Sequence, residues 1–283
     1  MRLILGHNQF LGISHTSESN ASEKDRLFSN PAKILEVVKI ANECGFDTMV
    51  IEAHPRMRAF MDLYEKDGTF DMKFLLQVPY VSGYVRRMAE SGIKGIVKEI
   101  ISDAPKTSLL ATPFQMLPKL IRSDYMGIGV KALDLETSKY SKYEISGVLM
   151  HNVISDLLLS FDAESAFGDY FDSVKRRFGV KAGLITLNLE MMVNQLHEWE
   201  LRPGTIITPI NPYGFDMNPS KERVEKVVNS SDLDIYAMNI MGGGSIPLNE
   251  ASKYLLGLKG LSGVIVGASS RKHIEELSRT FKR

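Results

Sequence analysis

Eight short apolar runs, divided by stretches of helical periodicity, constrain this chain more than any other feature. The runs are Arg2–Leu5, Thr48–Ile51, Lys73–Val78, Ser146–Met150, Ala182–Leu187, Thr205–Pro209, Asp234–Met238 and Gly263–Val266. Each has strand length. Between them apolar side chains recur at helical spacing, as with Ile34, Val37, Val38 and Ala41 in Pro31–Glu43, or Ile274, Leu277 and Phe281 near the end. Strands joined through helices run parallel, with right-handed crossovers. Eight of them fit an α/β fold, a (β/α)8 TIM barrel formed as one domain over residues 1–283, since such barrels of ~250 residues are single domains. A doubly wound open sheet satisfies the same periodicity. No linker divides the chain.

Helix boundaries have local causes. Asn30-Pro31 and Asn218-Pro219 each offer a capping side chain followed by a proline suited to the first helical position. Ser269-Ser270 offers a cap for the last helix, and Gly45 and Gly260 stand where helices should stop. The interval between the third and fourth runs is enlarged, about 65 residues, roughly twice what a crossover helix needs. Ser108–Arg122 and Ile128–Lys142 within it are partly helical in pattern. Residues 103–144 therefore form either an added helical layer or a lid.

Charge and composition narrow the partners. The 34 basic and 34 acidic residues cancel, which leaves no electrostatic footprint for nucleic acid or an anionic membrane. No apolar run approaches the roughly 20 residues that span a bilayer, and the first residues lack a signal-peptide core. Cys44 is the only cysteine, so intramolecular disulfides and multi-cysteine metal sites are excluded. The expectation is a cytoplasmic protein with a small-molecule substrate. Nothing in the pattern sets its oligomeric state.

In a barrel of this kind the functional face is the C-terminal end of the strands, so the polar residues that follow each run matter most. These are His7, Glu52 and His54, Gln77, His151-Asn152, Asn188, Asn211, Asn239 with Gly242-Gly243-Gly244, and Gly267-Ala268-Ser269-Ser270-Arg271. Glu52 and His54 share a strand phase. His7, Glu52, His54 and His151 can act as general acids and bases, ligate a divalent metal, or form a hydrogen-bonded plug. The His-x-His pattern of barrel metallohydrolases is missing, so no resident metal is expected. Three glycines after strand seven admit a close backbone approach. The helix start at Gly267–Ser270, with Arg271, suits phosphate.

Met238-Asn239-Ile240-Met241-Gly242-Gly243-Gly244, followed by Ala251–Leu258, Gly263-Val264-Ile265-Val266-Gly267-Ala268-Ser269-Ser270 and Ile274-Glu275-Glu276, resembles the C-terminal third of the aldo-keto reductases. Gly147–His151 and Ala182–Asn188 resemble that family's fourth and fifth strands. The resemblance implies NADP held by Asn188, Asn239, Gly242, Gly243, Gly244, Gly267, Ser269, Ser270 and Arg271, with His151 as the substrate-site histidine. It departs from the family's Asp, Tyr, Lys, His tetrad. Gln77 stands in the lysine's place. The aspartate's place falls to Glu52 by strand phase or to Asp47 by literal match, and the tyrosine's to Met57 or Glu52 accordingly. Leu277 and Ile207 replace two further family residues, an asparagine and a glutamine. Three functions follow as expectations: an NADP-dependent oxidoreductase with His151, Glu52 and His54 as non-standard catalytic residues; an isomerase, lyase or hydrolase acting on a phosphorylated small molecule, with or without a metal; and a catalytically inactive, ligand-binding barrel.

Overall fold

Parallel strands covered on both faces carry apolar side chains at nearly every position rather than at every second one. The strands here do so: β1 (Arg2–Leu5), β2 (Thr48–Glu52), β3 (Lys73–Val78), β4 (Gly147–Met150), β5 (Ala182–Ile185), β6 (Thr205–Pro209), β7 (Ile235–Met238) and β8 (Leu261–Val266). In the computed structural model, which describes residues 1–13, 18–80, 133 and 136–282, they close into a barrel in chain order. β8 returns to β1, from Arg2 opposite Gly263 to Leu5 opposite Val266. That pairing excludes the open sheet.

Helices cover the outside. α1 (Glu18–Leu27) and α2 (Pro31–Glu43) follow β1, α3 (Pro55–Asp67) follows β2, and α4 (Asn152–Ser160) and α5 (Glu164–Phe178) follow β4. α6 (Leu189–Glu198), α7 (Lys221–Ser230), α8 (Leu248–Leu256) and α9 (Arg271–Phe281) follow β5, β6, β7 and β8. No helix among the described residues is long and apolar enough to cross a membrane.

Alternation along each strand sorts its side chains into two cores. Leu3, Leu5, Met49, Ile51, Phe74, Leu76, Val148 and Met150 belong to the larger cluster, which includes helix residues such as Ile34, Val38 and Phe60. Ile4, Val50, Leu149, Ile185, Ile207 and Tyr236 make a smaller one, joined by Leu75, Met238 and Ile265, inside the barrel. Glycines enter this inner phase where a neighbour needs the room. A Cβ on Gly183 would lie 2.6 Å from the Leu149 side chain. A cavity of about 340 Å³ opens beside it at the N-terminal end of the barrel, lined by Gly147, Gly183, Gly204, Thr205 and Lys181 among others.

Several boundaries differ from the sequence expectations: β2 runs one residue further, to Glu52, β4 and β7 begin one later, at Gly147 and Ile235, and β8 begins two earlier, at Leu261. The run Ala182–Leu187 leaves the sheet at Ile185, because Asp156 on α4 takes the Thr186 hydroxyl and the Leu187 N–H (2.9 Å) and turns the chain away. α7 begins two residues beyond Asn218-Pro219: Ser220 is its cap, accepting the Arg223 N–H. α8 stops at Gly257, so Gly260 ends no helix. Gly260 instead lies against α7, where an added Cβ would fall 1.7 Å from the Val228 carbonyl oxygen. The helix signals at the two ends of α2 and at the start of α9 agree: Asn30 caps α2, Gly45 follows its end at φ 82°, and Ser270 caps α9. Of the enlarged interval, residues 103–132, 134 and 135 lie outside the described residues, and with them the choice between a helical layer and a lid.

Gly260→Ala should lower stability by about 1–3 kcal/mol or more, because backbone rather than a flexible side chain must yield. Gly168→Ala, inside α5 with nothing within 4 Å of the new methyl, should raise it by about 0.5–1 kcal/mol. Urea denaturation midpoints check both. Equal midpoints for the two variants would remove the close-packing account of Gly260.

Candidate active site

The inner phase of the strands leads from the apolar core to a polar mouth. Glu52 ends β2 two residues beyond Val50, Gln77 lies two beyond Leu75, and His151 two beyond Leu149. Glu52 and Gln77 are register partners across β2 and β3. His7 follows β1 and leads a short 3-10 turn, Asn8–Leu11. Its Nε2 lies 4.0 Å from Glu52 Oε2. Glu52 is only 3% exposed, and its Oε2 has no hydrogen-bond partner among the described residues.

Two of the histidines also start helices. His54 caps α3, its Nδ1 accepting the Arg56 N–H at 3.0 Å, and His151 caps α4 by accepting the Val153 N–H at 3.2 Å. A backbone N–H can only donate, so each neutral imidazole carries its proton on Nε2. The structure thus fixes the tautomer of both rings, each left with an N–H donor on its other nitrogen.

Burial sets the protonation states. It pushes the Glu52 carboxyl up to about 7; the charge of Glu136 adds to the rise and the Gln77 side chain opposes it. His7 is driven down to about 3, first by burial and then by His151 and His54. Burial also lowers His151. The mouth therefore holds neutral imidazoles around a carboxyl that titrates near neutrality, the kind of environment in which one carboxylic acid can serve as proton donor.

A second carboxylate reaches this mouth from the leg that returns to β4. Glu136 is buried, and its Oε1 accepts the Tyr80 N–H at 3.2 Å. The Tyr80 ring stands edge-on to the His54 ring, centroids 4.7 Å apart. Tyr140, one helical turn further on, donates its hydroxyl to the His54 carbonyl (3.2 Å) and the Glu52 carbonyl (3.4 Å). The sequence reading missed Glu136. Its signal was present: Leu133, Glu136, Thr137 and Tyr140 are spaced as one helical stripe, all buried, with an acid where an apolar residue is expected.

The two residues matched to the family's aspartate lie at opposite ends of β2. Asp47 lies just before β2, at the far end of the barrel from the mouth, paired with Arg2 at 3.2 Å, whereas Glu52 ends β2 at the mouth. Met57 is wholly buried in α3 and has no proton to give. Leu277 sits on the buried face of α9, and Ile207 inside the barrel.

The loops expected to hold an anion are more self-contained than their glycines imply. Gly242, Gly243 and Gly244 all have positive φ (52°, 68° and 97°), and so does Asn239 at 50°. The Gly243 N–H donates to Asn239 Oδ1 (2.8 Å), Gly242 N–H to the Asn239 carbonyl (2.9 Å), and Gly244 N–H to the Met241 carbonyl (2.8 Å). The glycines there serve the turn's own left-handed geometry. Asn188 donates its N–H to Thr186 Oγ1 at 2.9 Å. Gly267 lies against Gln9, whose amide bridges the Gly6 and Ala268 carbonyls (2.9 and 2.8 Å). Arg271 is exposed and pairs with Glu43 at 3.1 Å and Glu275 at 3.7 Å. No group of three or more metal-ligating side chains is placed to hold an ion among the described residues.

No family model matches the chain, and no curated protein matches it in sequence. Solved structures do match in shape. A Pseudomonas aeruginosa protein assigned to the aldo-keto reductases superposes with a TM-score of 0.56 at 14% identity, over 98% of this chain and 88% of that one. An aldo/keto reductase from Brucella melitensis gives 0.55 at 13%, over 99% and 87%. A variant of Gox0644 in complex with NADPH gives 0.52 at 11%, over 100% and 84%. At such identities the likeness is one of fold: this barrel is built like those of the aldo-keto reductases.

The two opposed shifts make a stability profile that can be measured. Between about pH 4.5 and 6.5 the unfolded chain carries one proton on His7 and the folded one carries it on Glu52, so their contributions cancel. Below about 4.5 the unfolded state binds the extra proton, and stability falls toward pH 3. Above about 6.5 the folded state binds more, and stability falls as Glu52 ionises through 7. Denaturation at a series of pH values should show this plateau with two shoulders. Glu52→Gln should abolish the alkaline fall and, with nothing left to offset His7, turn the plateau into a decline that begins near pH 6.5 as the pH is lowered; an alkaline fall that survives would mean a group other than Glu52 causes it.

Proposed function

We propose that the chain is a nicotinamide-dependent oxidoreductase of aldo-keto reductase type in which Glu52 replaces the family's tyrosine as proton donor. The observation that carries this reading is the buried, partnerless Oε2 of Glu52, at the C-terminal mouth of a barrel built like those reductases. A tyrosine needs a nearby lysine to become acidic enough; a carboxyl needs the opposite adjustment, and burial supplies it. The loss of both tyrosine and lysine then belongs to one replacement.

NADP fits the first turn of α9, where unpaired N–H groups favour an anion and Ser270 fixes the helix start. Arg271 is held only by exposed carboxylates, pairs worth about 0–1 kcal/mol, and can exchange them for a 2′-phosphate. Asn188, Asn239, Gly242–Gly244, Gly267 and Ser269 would complete the cofactor's contacts. A reduced nicotinamide cofactor bound there would supply a hydride for the substrate's carbonyl carbon. Glu52 delivers its proton to the carbonyl oxygen and becomes a carboxylate. His151 holds that oxygen through its Nε2–H, and His54 supplies a second such donor at the rim.

A second reading rests on the closed glycine turn, whose N–H groups are already spent within the loop. It keeps Glu52 and the imidazoles as a proton-transfer set and anchors a phosphorylated substrate at Gly267–Ser270, as an isomerase or lyase would.

Titration with NADPH followed by nicotinamide fluorescence separates the two. Saturable binding that Arg271→Ala weakens more for NADPH than for NADH supports the oxidoreductase, and no binding at high concentration leaves the second reading. With a carbonyl substrate in hand, Glu52→Gln should cost roughly 10²–10⁴-fold in kcat while leaving NADPH affinity unchanged. An unaltered kcat would remove Glu52 as the acid.

A further inference from the structure

The ring that neither proposed reading uses is His7. Its backbone is fixed on both sides. The Gly6 N–H donates to the Val266 carbonyl (2.8 Å), the Phe10 N–H to the His7 carbonyl (2.9 Å), and the Gln9 amide bridges the Gly6 and Ala268 carbonyls. A side chain carried on so constrained a turn is aimed by the scaffold. His54 and His151 each spend Nδ1 on a helix cap, whereas the His7 side chain makes no cap hydrogen bond. His7 is 5% exposed, and its Nε2 faces Glu52 Oε2 at 4.0 Å. An N–H···O hydrogen bond spans about 2.7–3.2 Å, so the two groups are too far apart to bond directly, yet close enough for one oxygen atom to bond to both. Buried polar atoms are nearly always hydrogen-bonded, and Glu52 Oε2 has no partner among the described residues. A separation of this width between two buried polar atoms at the mouth suits a single ligand oxygen.

We propose that His7 is a catalytic residue, its Nε2–H and the Glu52 carboxyl together holding one substrate oxygen, the carbonyl or hydroxyl oxygen at which the proton is exchanged. This rests on the reading of Glu52 as proton carrier, which both functional readings share. In the carbonyl form both groups donate to that oxygen. Once a hydride has reached the carbon and the Glu52 proton the oxygen, the new hydroxyl donates to the Glu52 carboxylate and still accepts from His7. One arrangement thus serves both sides of the reaction, and the same two groups would hold an enediol oxygen in an isomerase. Burial holds His7 down to about 3, so the ring donates while staying neutral, as an uncharged imidazole that polarises a carbonyl must. A carbonyl oxygen offers two lone pairs and a developing alkoxide three. His151 can therefore join as a third donor when charge appears, which is where such donors count most.

Two measurements on the unliganded whole chain test the geometry without substrate or nucleotide. In a crystal structure grown near about pH 6, one ordered water, standing in for the substrate oxygen, should lie within about 2.6–3.2 Å of both His7 Nε2 and Glu52 Oε2. Long-range proton–nitrogen correlation spectra, with His7 assigned by its loss in His7→Gln, should show a neutral ring with its proton on Nε2. A direct His7–Glu52 bond, a protein atom between the two, a charged ring or a proton on Nδ1 overturns the proposal. Once a carbonyl substrate turns over, His7→Leu should lower kcat roughly 10²-fold with NADPH affinity unchanged. His7→Gln, whose amide nitrogen can stand where Nε2 does, should recover most of that loss. If His7→Leu does not fold, His7→Met gives the same readout. Wild-type kcat in the apolar variant, or equal losses in both folded variants, removes His7 as the donor. Failure of NADPH to bind overturns only the oxidoreductase reading, since the crystal and the spectra contain none.

Discussion

Closure of a parallel sheet imposes the constraint on which everything else here depends. Once β8 pairs with β1 there is no free edge, and each strand must send alternate side chains into a space of fixed width. Apolar residues fill that space as far as Val50, Leu75 and Leu149, and the next inward positions are Glu52, Gln77 and His151. The site is therefore the last layer of the barrel interior, made polar. Its groups are desolvated because the same packing that stabilises the barrel stands directly beneath them. The acidity of the mouth follows from its place in the stack.

Under the proposed reading, that geometry also gives the departures from the reductase pattern a physical logic. A phenol and an ammonium acting together solve the problem of a proton donor that is too weak. A carboxyl in water is too strong, and would be ionised at neutral pH. Burial, an unpartnered oxygen and a nearby second carboxylate all push Glu52 in the needed direction, while Gln77, neutral where the lysine would stand, adds no positive charge to pull it back.

Much of the architecture was legible because it rests on local signals. Strand runs and helical periodicity are repeated eight times, and a boundary missed by one or two residues, as at Leu187, does not alter the topology. Inward phase was legible too, which is why Glu52 and His151 could be named from strand ends. What could not be read depends on contacts distant in sequence. Nothing around Asn239 says that its side chain will take the Gly243 N–H, so the glycine turn looked open to a ligand. Glu136 sits in a stretch whose helical stripe is interrupted by the acid itself, and only Tyr80 and Tyr140 reveal where it lands. Asn218-Pro219 had the right residues for a cap, but Ser220 had the right position.

His54 and His151 each perform two tasks with one ring. Adding a proton to either would place a hydrogen on Nδ1, against the backbone N–H that it now accepts from Arg56 or Val153. A helix cap of this type is worth about 1 kcal/mol, so the first turns of α3 and α4 are stabilised only while the rings stay uncharged. Secondary structure and chemical state are thereby coupled: two helices of the scaffold act as reporters of the charge in the mouth, and acid strong enough to charge the imidazoles would begin to fray the barrel from its C-terminal end.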